Sequence, residues 1–150
     1  MTQNDLDRQA LAERSAQALN AGDAVAKALG MRLTRIEPDC CTLEMKVRQD
    51  MTNGHAICHG GIIFTLADTA FAYACNWLGE MTVAAGASID FLSPAREGDV
   101  LCATARGRWA AGRYGIYEIE VTNQAGALVA LFTGRSHRVG DKLAMPQGKP

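Results

Sequence analysis

The chain has 150 residues, of which 48% are hydrophobic and 21% charged, and its 15 Lys+Arg against 16 Asp+Glu leave a formal net charge of −1. That is enough chain for one domain with a real core, and so even a charge balance gives no basis for a nucleic-acid or anionic-membrane partner. The N-terminus carries acids and no apolar stretch, so no signal peptide is expected, and the odd count of five cysteines reads as reduced thiols of a cytoplasmic protein.

In chain order, residues 4–29 read as one or two amphipathic helices. Leu6, Ala10, Ala18, Leu19, Val25 and Leu29 supply a thin apolar face, Gly22 breaks it and Gly30 is a C-cap. We expect 1–30 to form a helical cover on a single domain spanning 1–150. Residues 31–37 have strand character, with Pro38-Asp39 as a turn. In 41–47, Cys41, Leu43, Met45 and Val47 alternate with Thr42, Glu44 and Lys46, as in a half-buried strand. A polar, Gly-rich loop from Met51 leads into a nearly all-apolar helix over 62–78. Residues 82–92 alternate again, which puts Val83, Ala85, Ala87, Ile89 and Phe91 on one face. After a turn at 93–99, the stretches 100–109, 113–122 and 127–138 read as strands joined by hairpins at 110–112 and 123–126. Residues 140–150 read as a flexible tail. One long helix and consecutive hairpins predict a two-layer α+β domain with an antiparallel sheet.

The anomaly lies in the long helix. A helix apolar on nearly every side is a buried helix, yet Asp68 sits in its middle. An unpartnered buried charge costs several kcal/mol, so Asp68 is paired, protonated or used. Thr65, Asp68, Thr69, Ala72 and Asn76 form one stripe at helical spacing, and the plain reading has Thr65 or the backbone satisfying the carboxylate. Just before the helix, His59-Gly60-Gly61 stands where free N–H groups and the positive end of the dipole point outward. Such a terminus can hold a carbonyl oxygen as negative charge develops on it, and glycine lets it approach. From Gly60 to Asp68 is eight residues, about 12 Å along the axis. Donors and carboxylate of one helix therefore cannot act on the same carbonyl. If both are catalytic, two copies of the chain build the site, and a homodimer follows.

The runs Asn53-Gly54-His55, His59-Gly60-Gly61, Ala67-Asp68-Thr69-Ala70 and Ser88-Ile89-Asp90-Phe91-Leu92, with the strand-like 126–139, resemble the hotdog-fold acyl-CoA thioesterases. Within that family the resemblance is to the phenylacetate-degradation, PaaI-type group of hydroxyphenylacetyl-CoA thioesterases, and it covers about 23–139. It implies a hotdog fold, one long central helix wrapped by a curved antiparallel sheet. It also implies edge-to-edge sheet pairing into a homodimer, pairing of dimers into a homotetramer, and an active site at the dimer interface. By the same resemblance, Asp68 would be nucleophile or general base, the Gly60 N–H would polarise the thioester carbonyl, and Asn53 and His59 would place the thioester or the water. One related branch carries a Ser near the position of Ala84; this chain does not.

Read as residues, each candidate has a plainer alternative. Asn53-Gly54 is an ordinary turn pair, and His59 serves equally to pack the loop. His55, Cys58 and His59 fit no zinc spacing, so no metal is expected. Asp90 reads as bonded to a loop or to Arg96. Arg138, near the end of the last strand, is a candidate for a coenzyme A phosphate, although a basic strand edge also guards against aggregation. Phe71, Tyr73, Phe91 and Trp109 supply either an aromatic-friendly pocket or core. The function expected is hydrolysis of an aryl-acyl-CoA, with ring-hydroxylated phenylacetyl-CoA drawn from the resemblance. The alternatives are a medium- or long-chain acyl-CoA thioesterase of broad specificity and a non-catalytic acyl-CoA-binding hotdog protein. No cofactor is expected, coenzyme A being part of the substrate, and neither nucleic acid nor membrane is expected as partner.

Overall fold

The structure, a computed structural model, describes residues 1–144. Helix α1 (Gln3–Gly22) starts at a reciprocal cap in which Thr2 and Asp5 satisfy each other's backbone N–H. Helix α2 (Ala24–Ala28) starts at Asp23, whose carboxylate accepts from the Ala26 N–H. Strands β1 (Arg32–Glu37) and β2 (Cys40–Lys46) form a hairpin, a short 3-10 turn at Gln49–Met51 follows, and then helix α3 (Gly60–Cys75). Strands β3 (Glu80–Phe91), β4 (Val100–Ala111), β5 (Tyr114–Thr122) and β6 (Leu128–Lys142) complete one antiparallel sheet in the order β1-β2-β4-β5-β6-β3. This is the α+β layout of one long helix on an antiparallel sheet. The sheet stays open, with β1 and β3 as its edges.

The core lies between α3 and the sheet. Leu43, Met45, Leu101, Ala103, Ala105, Ile119, Val121 and Phe132 rise from the strands to meet Ile63, Leu66, Ala67, Ala70, Phe71 and Ala74 of the helix. Each fully buried large side chain among them contributes about 1.5–3 kcal/mol. The helix sits close because Gly134 of β6 leaves room for a ring: a Cβ there would lie 2.8 Å from three atoms of Phe71. The N-terminal helices are tied down by polar contacts. The Tyr73 hydroxyl donates to Asp23 (3.0 Å), and buried Ser15 donates to the Trp77 carbonyl (3.1 Å). Arg8 stacks over the Trp77 ring at 5.0 Å.

Four expectations change. First, α3 is not buried all round: Gly61, Thr65, Asp68 and Ala72 define a less covered stripe along it. It also ends earlier than 78, because Asn76 stops it. The Asn76 amide donates to the Ala72 and Thr82 carbonyls and accepts from the Thr82 N–H, which pins the helix end to β3. Second, β3 does not keep one alternation. A register irregularity between Ala84 and Gly86 shifts its phase, so Ala87 and Ile89 pack on the core while Val83 and Ala85 face outward. Third, Ala110 and Ala111 belong to β4, and the turn is Gly112-Arg113, with Gly112 at φ 57°. Fourth, residues 140–142 of the expected tail continue β6, because Lys142 pairs with Glu80; 145–150 lie outside the described residues. Among the described residues no helix is long and apolar enough to cross a membrane.

Candidate active site

The start of α3 is built by the loop before it. Asn53 Oδ1 accepts from the N–H groups of His55 (2.9 Å) and Ile57 (3.4 Å), closing a turn over Gly54, and the Asn53 N–H donates to the Ile57 carbonyl. The Cys58 N–H donates to the Ala95 carbonyl (2.7 Å), joining this loop to the one after β3. His59 is the helix cap: its Nδ1 accepts from the Gly61 N–H at 3.0 Å. In the neutral ring this leaves the proton on Nε2. The His59 carbonyl takes the N–H groups of Ile62 (2.9 Å) and Ile63 (3.2 Å). In the first turn, then, the N–H of Gly60 is the donor with no acceptor among the described residues.

That donor borders a cleft of about 510 Å³ lined by Asn53, Ile57, Gly60, Ile63, Phe91 and the 92–95 segment. The Phe91 ring lies over Gly60, where a Cβ would come within 3.0 Å of its Cζ. Glycine at 60 thus allows the close approach of the ring, which a side chain there would displace by a few tenths of an ångström, and an oxygen of similar reach meets the same opening. A single unpaired N–H at the positive end of a 16-residue helix, in a mostly apolar cleft, favours partial negative charge on a bound oxygen.

Asp68 lies on the open stripe of α3 and is half-buried. Burial alone pushes its carboxyl above the ordinary carboxylate value. It makes no hydrogen bond among the described residues, and Thr65, expected to satisfy it, does not. Thr65 Oγ1 donates to the Gly61 carbonyl and Thr69 Oγ1 to the Thr65 carbonyl, each at 2.7 Å. Among the described residues of one chain the carboxylate is left without a donor. It does not line the Gly60 cleft either, in keeping with their separation of eight helical residues.

The remaining candidates fall on both sides. Asn53 reaches the cleft with its carbonyl oxygen committed to the turn and its amide nitrogen without a hydrogen bond among the described residues. Arg138 is not brought to the cleft. It donates to Glu80 (2.8 Å) and to the Gly112 carbonyl (2.7 Å), and its partner Thr82 lies nine residues along β3 from Phe91. Asp90 is exposed on the edge strand and has no hydrogen bond to Arg96, whose N–H donates to Asp99 instead. Of the aromatic set, Phe91 alone lines the cleft. Phe71 and Tyr73 are core, and Trp109 is exposed. Cys58 is buried and its thiol pushed up to about 11 by desolvation, far from a ready nucleophile. No cluster of three or more His, Cys, Asp or Glu among the described residues is arranged to hold a metal. By its residues 93–99 is a plain turn; in the structure its Pro94 and Ala95, with Leu92 just before it, form the cleft's apolar wall. An apolar Leu and a Pro-Ala pair so soon after a strand end were the available signal.

Comparison with known proteins follows the same lines. The pattern of the thioesterase superfamily matches residues 55–130. The chain is 48% identical over 127 residues to acyl-coenzyme A thioesterase PaaI of Escherichia coli K12, covering 85% of this chain and 91% of that protein. The solved structure of E. coli PaaI, from the phenylacetic acid degradation operon, superposes with a TM-score of 0.88 at 46% identity, covering 89% of this chain and 97% of that one. A Streptococcus mutans protein solved with bound acetyl-CoA superposes with a TM-score of 0.72 at 25% identity, over 75% of this chain and 90% of that one.

Proposed function

The chain belongs to the thioesterase superfamily, and from that premise we propose that it hydrolyses the thioester of an aryl-acyl-CoA, ring-hydroxylated phenylacetyl-CoA in phenylacetate degradation. It is a thioester hydrolase of the PaaI type; the aryl group is our inference from the resemblance. The observation that carries the mechanism is the pair of unmet groups on one helix, the Gly60 N–H and the Asp68 carboxylate, placed too far apart to serve one carbonyl.

The site is completed by a second copy of the chain. The Gly60 N–H of one protomer binds the thioester oxygen, and Asp68 of the other stands on the far side of the carbonyl carbon. Asp68 either attacks that carbon or takes a proton from the water that does. Negative charge moves to the carbonyl oxygen and is stabilised by the N–H and the helix dipole. The tetrahedral adduct then collapses, the carbon–sulfur bond breaks, and coenzyme A leaves as the thiol with one proton. Water supplies the second oxygen of the carboxylic acid product, directly or by hydrolysing an acyl-Asp68 anhydride. The free amide of Asn53 and the Nε2–H of His59 position the thioester or the water. Burial raises the basicity of Asp68, which suits it to proton abstraction. The twelve-residue β3 supports the assembly: an open edge strand of that length, with Met81 and Val83 exposed, is a template for pairing with a second edge. A C2 dimer, and a tetramer of such dimers, is the species we infer to be active.

Thiol release from a panel of aryl- and straight-chain acyl-CoAs tests this reading. Hydrolysis with a higher kcat/KM for the aryl esters is expected. Binding without thiol release would make the protein a sensor instead.

A further inference from the structure

A second cavity lies at the other end of α3, between the helix terminus and the concave face of the sheet, under the β4–β5 hairpin. Its volume is about 230 Å³, and its walls include Asp39, Cys75, Thr82, Gly115, Tyr117 and Ser136. That is smaller than the 300 Å³ or so at the low end of sites that take a whole ligand. It has room for part of one, such as a substituted ring.

Ser136 is the unusual group in it. The residue is only 4% exposed, and its Oγ makes no hydrogen bond among the described residues. Among the described residues no fully enclosed side-chain oxygen or nitrogen lacks a partner, so this hydroxyl opens onto the cavity rather than being sealed in the wall. A hydroxyl so placed is costly unless something reaches it. Its neighbours do not. The Tyr117 hydroxyl donates to Asp39 (2.6 Å), Thr82 Oγ1 to the Glu80 carbonyl (3.0 Å), and the space beside Ser136 is kept open by Gly115, where a Cβ would lie 2.8 Å from the Oγ.

The cavity is aligned with Asp68. From Asp68 to Cys75 is seven residues, which returns to the same helical stripe about 10 Å along the axis. Ala72, between them, leaves the way low. Cys75 feels both ends: its thiol is pushed up to about 12, mainly by burial, with further contributions from the charges of Asp68 and Asp39. On the sheet side Ala84 pairs with Ser136, and direct antiparallel partners share a face, so a methyl group again stands where the route passes. Some 10 Å accommodates one aromatic ring on a short acyl stem and stops well short of an extended long fatty chain.

We propose that this cavity is the subsite for the far end of the acyl group, and that Ser136 Oγ hydrogen-bonds a hydroxyl on the distal edge of an aromatic ring whose thioester lies at Asp68. The inference rests on the thioesterase reading above and deepens it. It makes Ser136 a specificity-determining residue, outside the bond-breaking step.

The test compares wild type with Ser136→Ala on two esters, a para-hydroxylated arylacetyl-CoA and its unhydroxylated parent, following thiol release. The wild type prefers the hydroxylated ester, and Ser136→Ala reduces the ratio of the two kcat/KM values by about tenfold. Loss of a structural hydroxyl would lower both rates together and leave that ratio unmoved, which would overturn the assignment of Ser136. A wild type with no preference for the hydroxyl, or one equally fast on a long-chain acyl-CoA, would overturn the subsite while leaving a thioesterase. A wild type releasing thiol from none of these esters would sink the functional reading, and this subsite with it. Thermal melting of Ser136→Ala, expected within a few degrees of wild type, separates these outcomes from misfolding.

Discussion

Asp68 in the middle of α3 and Asn76 at its C-cap lie about two turns apart, and the molecule treats them oppositely. At Asn76 every polar atom of the side chain is engaged, with two carbonyls and one N–H as partners, and the residue joins the helix end to β3. At Asp68 no partner is engaged among the described residues, although the carboxylate is half-buried and its neighbouring hydroxyls have donated elsewhere. A polar group that folding has already satisfied is doing structural work. A polar group left unmet at a cost is held for something outside the chain. The first turn of α3 repeats the contrast on the backbone: three of its N–H groups find His59, and the Gly60 N–H does not.

The contrast is broken most directly at Asp68. Asp68→Asn keeps volume and removes the base, so kcat should fall by at least about 10²–10⁴-fold with folding intact. Near-wild-type turnover would make Asp68 as structural as Asn76. Next comes Gly60→Pro, which deletes the unmet N–H. Gly60 is the first helical residue, where proline is favoured, and His59 at φ −61°, ψ 133° already has the backbone that precedes proline. The Phe91 ring must give way by a few tenths of an ångström. A loss of about 10²–10³ in kcat is expected. Co-refolding it with Asp68→Asn should restore part of the activity, because some mixed dimers contain one intact site. A mixture that pairs normally but stays dead would show that the site is not shared.

Asn76→Ala should do the reverse. It takes the side-chain partner from the N–H and carbonyl of Thr82 and costs about 1–3 kcal/mol of stability, read as a lower melting temperature, while the specific activity of the folded protein is retained. A subtler effect concerns pH. Burial raises the folded pKa of Asp68, so this group's contribution to stability is fully present in acid, below its unfolded value, and is lost as pH rises through the folded value. Asp68→Asn removes that loss. Its melting temperature should exceed wild type at neutral pH, with the gain shrinking on acidification. A constant difference across pH would argue that the carboxylate gains a partner in the assembled protein. At the smallest end, exhaustive chelation with EDTA should leave activity unchanged, and loss rescued by zinc alone would overturn a metal-free mechanism.

These distinctions were only partly legible in the sequence. Element order, the hairpins and the apolar helix follow from period and turn residues, and the Asp68 anomaly follows from composition alone. What stayed hidden depends on partners distant in the chain. Nothing in Asn76 announces that Thr82 will bond both of its ends. The phase change in β3 is imposed where it pairs with β6 around Ala84 and Gly86, so a strictly alternating sequence misplaced Val83. Thr65 looked like the donor to Asp68 because spacing gives proximity, but a helical hydroxyl prefers the carbonyl four residues back. Ser136 drew no notice, since a serine in a strand is unremarkable until its burial and unoccupied hydroxyl are known.

Gly134 has a consequence for how this sequence can vary. With a Cβ there 2.8 Å from the Phe71 ring, the height of α3 above the sheet is set by a pair of residues 63 positions apart. In a saturation library, single replacements at 134 should be purged almost uniformly, whereas replacements at 71 with smaller apolar residues survive as weakened variants. Substitutions at 134 become permissible only after the ring has shrunk. A side chain at 134 is therefore expected to be tolerated best where residue 71 is smaller than phenylalanine.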